Sequence, residues 1–292
     1  LAVANGERYP GLRSVILCTE DSIRSEEVEA GLAHLAALMP RLTKRGPSVF
    51  IRPRNPQVLQ RILAMRGIER IDGFVLPKVT AEVFADYAAL IPGSFALMPT
   101  LETREAFDPW AMAALRQVFL QDAVRGRILA LRIGGNDLLN LIGVRRKPGQ
   151  TLYDTAIGQV IAALVTTFLP DGFALTAPVF DNFGDPKTLD KEVLRDIEHG
   201  LIGKTAIHPH QIERIERHYK VAFSDLEAAQ AILMSDAPAV FQIGKVMCEP
   251  ATHTAWAKTI VARAALYGTL EDDRPQETTS YRAVANDNGD LL

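Results

Sequence analysis

SVFIRPRNPQVLQRIL, residues 48–63, contains in miniature the unit from which most of this chain is built. Ser48–Ile51 is a short run without charge, Arg52–Asn55 is a polar turn, and Pro56 opens a helix with Val58, Leu59, Ile62 and Leu63 on one face. A strand that is apolar throughout, rather than at alternate residues, suits a parallel sheet covered on both faces. The same run recurs outward at Ser14–Cys18, Gly73–Leu76, Phe95–Met98, Ile128–Ile133, Phe173–Ala177 and Thr205–Ile207. Between these runs lie amphipathic stretches. Ser25 reads as a cap, with Glu26 and Glu27 in the first turn, ahead of Val28, Leu32, Leu35, Met39 and Leu42. Thr80 caps a helix burying Val83, Phe84, Tyr87 and Leu90. Ile157, Ile161, Leu164, Val165 and Phe168 form a stripe ended by Pro170 and Gly172, and Leu189, Val193, Leu194 and Ile197 form another.

Strand and helix alternating this often mean a parallel α/β fold. Seven strands can be counted, and a (β/α)8 barrel needs eight. A doubly wound sheet accepts seven, but no Gly-rich dinucleotide fingerprint follows any early strand. The expected fold class is therefore an α/β TIM barrel over residues 1–212, with its first strand missing from this chain. The first residue is Leu1 rather than Met, which fits a start downstream of the natural one. Residues 213–268 read as a purely helical extension, at Gln211–His218, Ser224–Ser235 and Thr252–Tyr267. The last of these carries an apolar stripe of Trp256, Ile260, Val261, Ala264 and Leu266–Tyr267, to be buried on the barrel's own helices or on a neighbouring subunit. Residues 269–292 are polar, acidic and poor in large aliphatics, so a mobile tail is expected.

Composition narrows the function. The chain has 292 residues, and 32 Lys+Arg against 35 Asp+Glu leave a net charge of −3, no footprint for nucleic acid. No apolar stretch is long enough to cross a membrane. Two cysteines, Cys18 and Cys248, make no disulfide framework; they read as buried packing residues in a reducing cytoplasm.

In a barrel, catalytic groups stand just past the C-terminal ends of the strands. Those ends give Glu20-Asp21, Arg52 to Asn55, Lys78, Glu102-Thr103, Asn136-Asp137, Asp181 and His208. Glu102 and Asp137, on adjacent strands and expected at their solvent-facing ends, form a pair of the kind that holds Mg2+ with water and substrate oxygens. Arg52 suits a bidentate carboxylate clamp, and Lys78 adds positive charge. Gly134-Gly135 allows backbone to approach a ligand or metal, though a bare turn reads equally well. Any barrel has polar strand ends, so each residue alone is as well explained by structure as by catalysis; the joint pattern points to an anionic, oxygen-rich small molecule with a metal.

The series CTEDSI (18–23), FIRPRN (50–55), VLPK (75–78), LETREAF (101–107), RIGGNDLLNLIG (132–143) and GLIGKTAIHPHQI (200–212) resembles the citrate lyase β-subunit family, which includes malyl-CoA and citramalyl-CoA lyases. The resemblance runs in order from about Arg13 to Gln211. It implies a Mg2+-dependent TIM-barrel lyase, assembled as a homotrimer or dimer of trimers. Such an enzyme cleaves a carbon–carbon bond of a hydroxy-acyl substrate, a CoA thioester or 2-oxo acid, through a metal-stabilised enolate. Glu102 and Asp137 match the metal-binding acids, and Arg52 matches the substrate-binding arginine. The family reads R-x-N where this chain has R-P-R-N, so Arg54 remains an alternative. Glu20 and Asp21 match the last acids of a D-x-E-D motif.

Two positions depart from the family. Cys18 replaces the first Asp of D-x-E-D. Cys248 replaces the acid of a C-terminal G-K-M-I-D motif that reaches a neighbouring subunit's site, and Glu249 follows one place later. Glu249 and a metal-bound water are the candidate bases. The competing reading is a catalytically altered barrel that serves as a ligand-binding or assembly component.

Overall fold

The computed structural model describes residues 1–9 and 11–270, together with the backbone of Arg282 and Ala283. Two compact units divide the chain, Leu1–Ile212 and Glu213–Leu292.

The first unit runs β1 (Ser14–Cys18), α1 (Val28–Leu38), β2 (Ser48–Arg52), α2 (Pro56–Leu63), β3 (Gly73–Leu76), α3 (Ala81–Leu90), β4 (Ala96–Leu101), α4 (Pro109–Phe119), α5 (Asp122–Arg125), β5 (Leu131–Ile133), α6 (Gly135–Leu141), α7 (Ile157–Phe168), β6 (Leu175–Thr176) and α8 (Pro186–Glu198). The strands are parallel and lie side by side in chain order, β1 to β6. A doubly wound sheet reverses direction at a switch point, whereas a barrel does not. Strand order therefore decides for the barrel.

Helix starts follow local chemistry. Pro56 opens α2 and Thr80 caps α3, as expected, with Thr80 Oγ1 accepting from Val83 N at 3.2 Å; Asn55 adds a cap that was not expected, its Oδ1 accepting from Val58 N at 2.8 Å. Ser25 does not cap α1. It lies inside a short 3-10 turn, where the Glu27 carboxylate reaches back to Arg24 N at 3.2 Å, because an acid three residues on can satisfy the free N–H better than a serine within the turn.

The expected seventh strand, Thr205–Ile207, is absent. Parallel pairing after β6 shrinks to one bridge, Ala177 with Lys204, one residue earlier than expected. The side chain of Lys204 explains the shortness: it turns aside to Glu192 and Asp196 on α8 at 2.9 and 3.0 Å. β5 and β6 are also shorter than read from sequence, and Ile128 keeps only an isolated bridge to Leu97.

Alternation along each strand sorts side chains into two compartments. Val49, Ile51, Phe74, Leu76, Leu97, Leu101, Leu131, Ile133 and Leu175 face the helices and join the main core. Residues of opposite parity face inward. Phe50, Val75 and Met98, with Ile16 and Ala96 against them, form an apolar plug. One step further along the strands come Cys18, Arg52, Thr100, Arg132 and Thr176, then Glu20, Glu102 and Gly134. The interior thus changes from apolar to charged within two residues along β2 and within four along β1 and β4.

The second unit is not purely helical. α9 (Ile212–Tyr219) and α10 (Phe223–Ile232) are followed by an antiparallel hairpin, β7 (Phe241–Ile243) and β8 (Val246–Cys248), and then by α11 (Pro250–Tyr267). The hairpin escaped the sequence reading because its strands are only three residues long and turn on Gly244 at φ +58°. Ile260 of the α11 stripe is buried with Val221, Ile232, Phe241 and Cys248, while Trp256 and Leu266 stay exposed. Of the tail expected to be mobile, Thr269 and Leu270 pair with Val221, and Arg282–Ala283 forms β9 (Arg282–Ala283) against β7; the remainder of that expectation lies outside the described residues.

Candidate active site

Six charged residues meet at the C-terminal ends of β1 to β5. Glu20, just past β1, is 3% exposed and is bound by Arg52 Nη2 at 2.9 Å and by the ammonium of Lys78. Lys78 Nζ also reaches Asp21 Oδ2 at 2.7 Å and stands 4.0 Å from Asp137 Oδ1. Lys78 is one of the few non-glycine residues with positive φ, +51°. This conformation costs energy and persists where the surroundings hold it. Its yield here is geometric: the backbone N–H of Lys78 donates to Glu102 Oε1 at 2.9 Å while the side chain serves Glu20 and Asp21. Partial burial alone would lower the Lys78 pKa, but the hydrogen bonds it donates to Asp21 and Glu20 raise it well above the ordinary value.

Glu102 is not solvent-facing, as expected from sequence, but 4% exposed. Its position at inward parity, directly above Thr100, explains the burial. Removal from water, with the negative charge of Asp137 next in importance, pushes its pKa up to about 7. Gly134 makes room for it, since a Cβ there would collide with Glu102 Oε2 and Cβ. Asp137 lies in the first turn of α6, where a negative charge is favoured, and its side chain is 37% exposed. Gly135 serves packing, its α-carbon fitting between Leu152 and Pro178. Among the described residues no group of three or more His, Cys, Asp or Glu is assembled as a metal cage.

Arg54, the alternative to Arg52, is committed elsewhere. It donates to the carbonyls of Glu20 and Ile23 at 3.0 and 2.6 Å and holds the loop after β1. Cys18 is no inert packing residue. It is half-buried, and its Sγ accepts from Arg52 Nε at 3.3 Å and from Glu20 N at 3.4 Å. Burial raises a thiol, yet the Ser22 hydroxyl and the Arg52 guanidinium together bring this one below its usual value. The sulfur thus serves as an acceptor for Arg52. Glu249 belongs to the second unit, where it precedes α11; its N–H donates to His253 Nδ1 at 3.1 Å and its carboxylate accepts from Thr252 Oγ1 at 3.0 Å.

Sequence reading missed two charged residues. Arg132 sat inside a run taken as a plain strand, and its parity with Glu102 two steps along was the available signal. Lys204, part of the GK-x-x-IHP motif, is a structural cation whose side chain is fully buried.

A family model for carbon–carbon bond lyases of the TIM-barrel fold matches residues 1–269. The chain belongs to this family. That agrees with the resemblance to citrate lyase β-subunits carried by its motifs. This lyase-family chain is 28% identical over 176 residues to the (3S)-malyl-CoA thioesterase of Cereibacter sphaeroides, a match over 58% of the chain and 60% of the relative. It thus spans about 60% of the length of the curated relatives it matches. In fold it is similar to CitE of Mycobacterium tuberculosis in complex with magnesium, acetoacetate and coenzyme A, with TM-score 0.66 and 19% identity over 90% of this chain and 95% of that one. It is also similar to the pyruvate/acetyl-CoA ternary complex of Haloferax volcanii malate synthase, with TM-score 0.62 and 16% identity over 89% and 84%.

Proposed function

We propose that this barrel is a Mg2+-dependent lyase that cleaves a carbon–carbon bond of a hydroxy-acyl CoA thioester or a hydroxylated 2-oxo acid. The observation that carries the reading is the buried Glu102 carboxylate, which shares the mouth with Asp137 and lies near Arg52. A buried carboxylate pushed up by a second carboxylate beside it is a poor arrangement for a merely structural mouth and a good one for a divalent cation. Hard oxygen donors, two acids and open positions for substrate oxygens fit Mg2+. When bound on Glu102 and Asp137, the ion supplies a Lewis acid for the substrate's oxygens.

The chain's own residues do the rest. A base takes the proton of the substrate hydroxyl, the carbon–carbon bond breaks, and its electron pair leaves on the acyl fragment as an enolate that is then protonated. The other fragment departs as a carbonyl acid. Arg52, oriented by Cys18 and Glu20, binds the anionic oxygens and stabilises the developing charge. Lys78 holds Glu20 and Asp21 in place and, through its backbone N–H, orients Glu102. Glu249 is our candidate for the base, supplied in a homotrimer or dimer of trimers. Two free cysteines support a reducing, cytoplasmic setting.

Purified protein with and without Mg2+ should be assayed against malyl-CoA, citramalyl-CoA, citryl-CoA and free 2-keto-4-hydroxy acids. Metal-dependent release of a carbonyl acid is expected. The thioesterase named among its relatives supports a second reading, thioester hydrolysis, which would release free CoA with the carbon skeleton intact. No turnover of any of these substrates would favour the altered barrel. In the shared-site arrangement Glu249→Gln lowers turnover with little change in KM, and mixing it with Asp137→Ala subunits restores activity; a monomer in solution would remove that arrangement.

A further inference from the structure

Arg132 is a cation that the proposed reaction does not use. It lies in the barrel interior, in register with Thr100 on β4 and Thr176 on β6, one layer beneath Glu102 and Gly134. Its Nη2 donates to Thr205 Oγ1 at 2.7 Å, and among the described residues no carboxylate forms an ion pair with it. Its Nε and the hydroxyls of Thr100 and Thr176 are shut off from solvent without a hydrogen-bond partner. Arg132 as a residue keeps some accessible surface although its Nε is sealed. Desolvation, with the like charge of Arg52 adding to it, lowers its pKa to about 10, so it remains charged at neutral pH. A guanidinium away from water needs an acid partner, and its planar fork matches a carboxylate.

We infer that Arg132, with the hydroxyls of Thr176 and Thr205, is a second carboxylate-binding group in the substrate pocket, in addition to Arg52. The inference rests on the lyase reading and narrows it: the carbonyl acid released by cleavage carries two carboxylates rather than one. Two guanidiniums facing one interior repel each other, and a dianion between them relieves both.

Malonate and acetate are suitable probes, since neither can be cleaved and they differ by one carboxylate. In calorimetric titrations of the wild type, with and without Mg2+, malonate should bind about tenfold or more tightly than acetate, the worth of one charge-assisted hydrogen-bonded contact. Arg132→Met should erase that preference while the melting temperature of the ligand-free protein holds or rises, because a partnerless charge is replaced by an apolar chain of similar length. Thr205→Val, which removes the partner of Arg132 but not its charge, should weaken malonate by a smaller factor. Equal binding of the two acids by the wild type would overturn the inference. So would an Arg132→Met variant that keeps the malonate preference, whatever its melting temperature. Cleavage of a hydroxy-acyl CoA with an unchanged malonate preference in Arg132→Met removes this inference alone. An Arg132-dependent malonate preference in a protein that cleaves nothing removes the lyase reading alone.

Discussion

At the barrel mouth Arg52 and Lys78 face Glu20, Asp21, Glu102 and Asp137, whereas along α8 Arg146 and Lys204 face Glu192 and Asp196. The α8 cluster is sealed: Arg146, Lys204, Glu192 and Asp196 have side chains no more than 2% exposed. Each of its charges has a partner, with Asp181 at its more open edge also bound by Arg146 Nη1 at 3.1 Å, and its spare acceptors are filled, by Leu152 N on Glu192 at 2.7 Å and by the Tyr153 hydroxyl on Asp196 at 2.7 Å. Asp196 is still raised by desolvation, although Lys204 and Tyr153 pull it down. The mouth differs in how its charges are satisfied rather than in residue type. There Glu102 is pushed up to about 7, and Asp137 and Lys78 are partly open to solvent. A satisfied ionic cluster fixes architecture; an unsatisfied one near solvent is free to bind something.

Removing one partner from the sealed cluster should therefore have the largest effect on stability. Lys204→Met leaves the buried carboxylate of Asp196 without a cation, and Glu192 with Arg146 alone, and should cost about 3–5 kcal/mol in urea unfolding. A loss near zero would mean that the α8 cluster is not held by its charges.

The mouth should respond in the opposite sense. Glu102 has a folded-state pKa raised from 4.5 to about 7, so the folded protein binds this proton more tightly than the unfolded chain does, and the contribution to stability declines as pH rises from 4.5 through 7. Glu102→Gln keeps an oxygen for the Lys78 N–H and removes the charge. In metal-free protein at pH 8 it should stabilise the fold by about 3 kcal/mol, while calorimetry detects no Mg2+ binding. In the wild type, Mg2+ affinity should fall as pH drops below about 7. Destabilisation by Glu102→Gln would show that the charge is compensated after all.

Gly134→Ala pushes on Glu102 without changing the donor set. A loss of Mg2+ affinity on the order of 10–100-fold is expected, as for other disturbed supports of a metal ligand; unchanged affinity would show that Glu102 does not hold the ion. The smallest effect belongs to the two thiols. Cys18, lowered by its Ser22 and Arg52 contacts, should be alkylated by iodoacetamide at pH 7 well before Cys248, which burial raises. Mass spectrometry of the labelled protein reads the order, and preferential labelling of Cys248 would contradict the contact between Cys18 and Arg52.

Local order in this chain was legible from sequence because it depends on neighbours a few residues apart. Apolar runs broken by polar turns, Thr80 at a helix start and Pro56 at a first turn act over one or two turns of chain; β1 to β3, Thr80 and Pro56 formed where expected, while Ser25 did not cap α1 and the later strands were shorter. The polar strand ends followed from the same alternation, which brought Glu20, Arg52, Lys78, Glu102 and Asp137 to one mouth. Burial and pairing across strands depend on contacts dozens of residues apart, and those only the tertiary structure decided. Register set Arg132 between Thr100 and Thr176, inward parity among packed neighbours buried Glu102, and the seventh strand ended at the single bridge of Ala177 with Lys204, whose side chain binds Glu192 and Asp196 on α8. Dehydration and the nearest opposite charge, rather than residue type, determine what a charged group does, and both are properties of the folded chain.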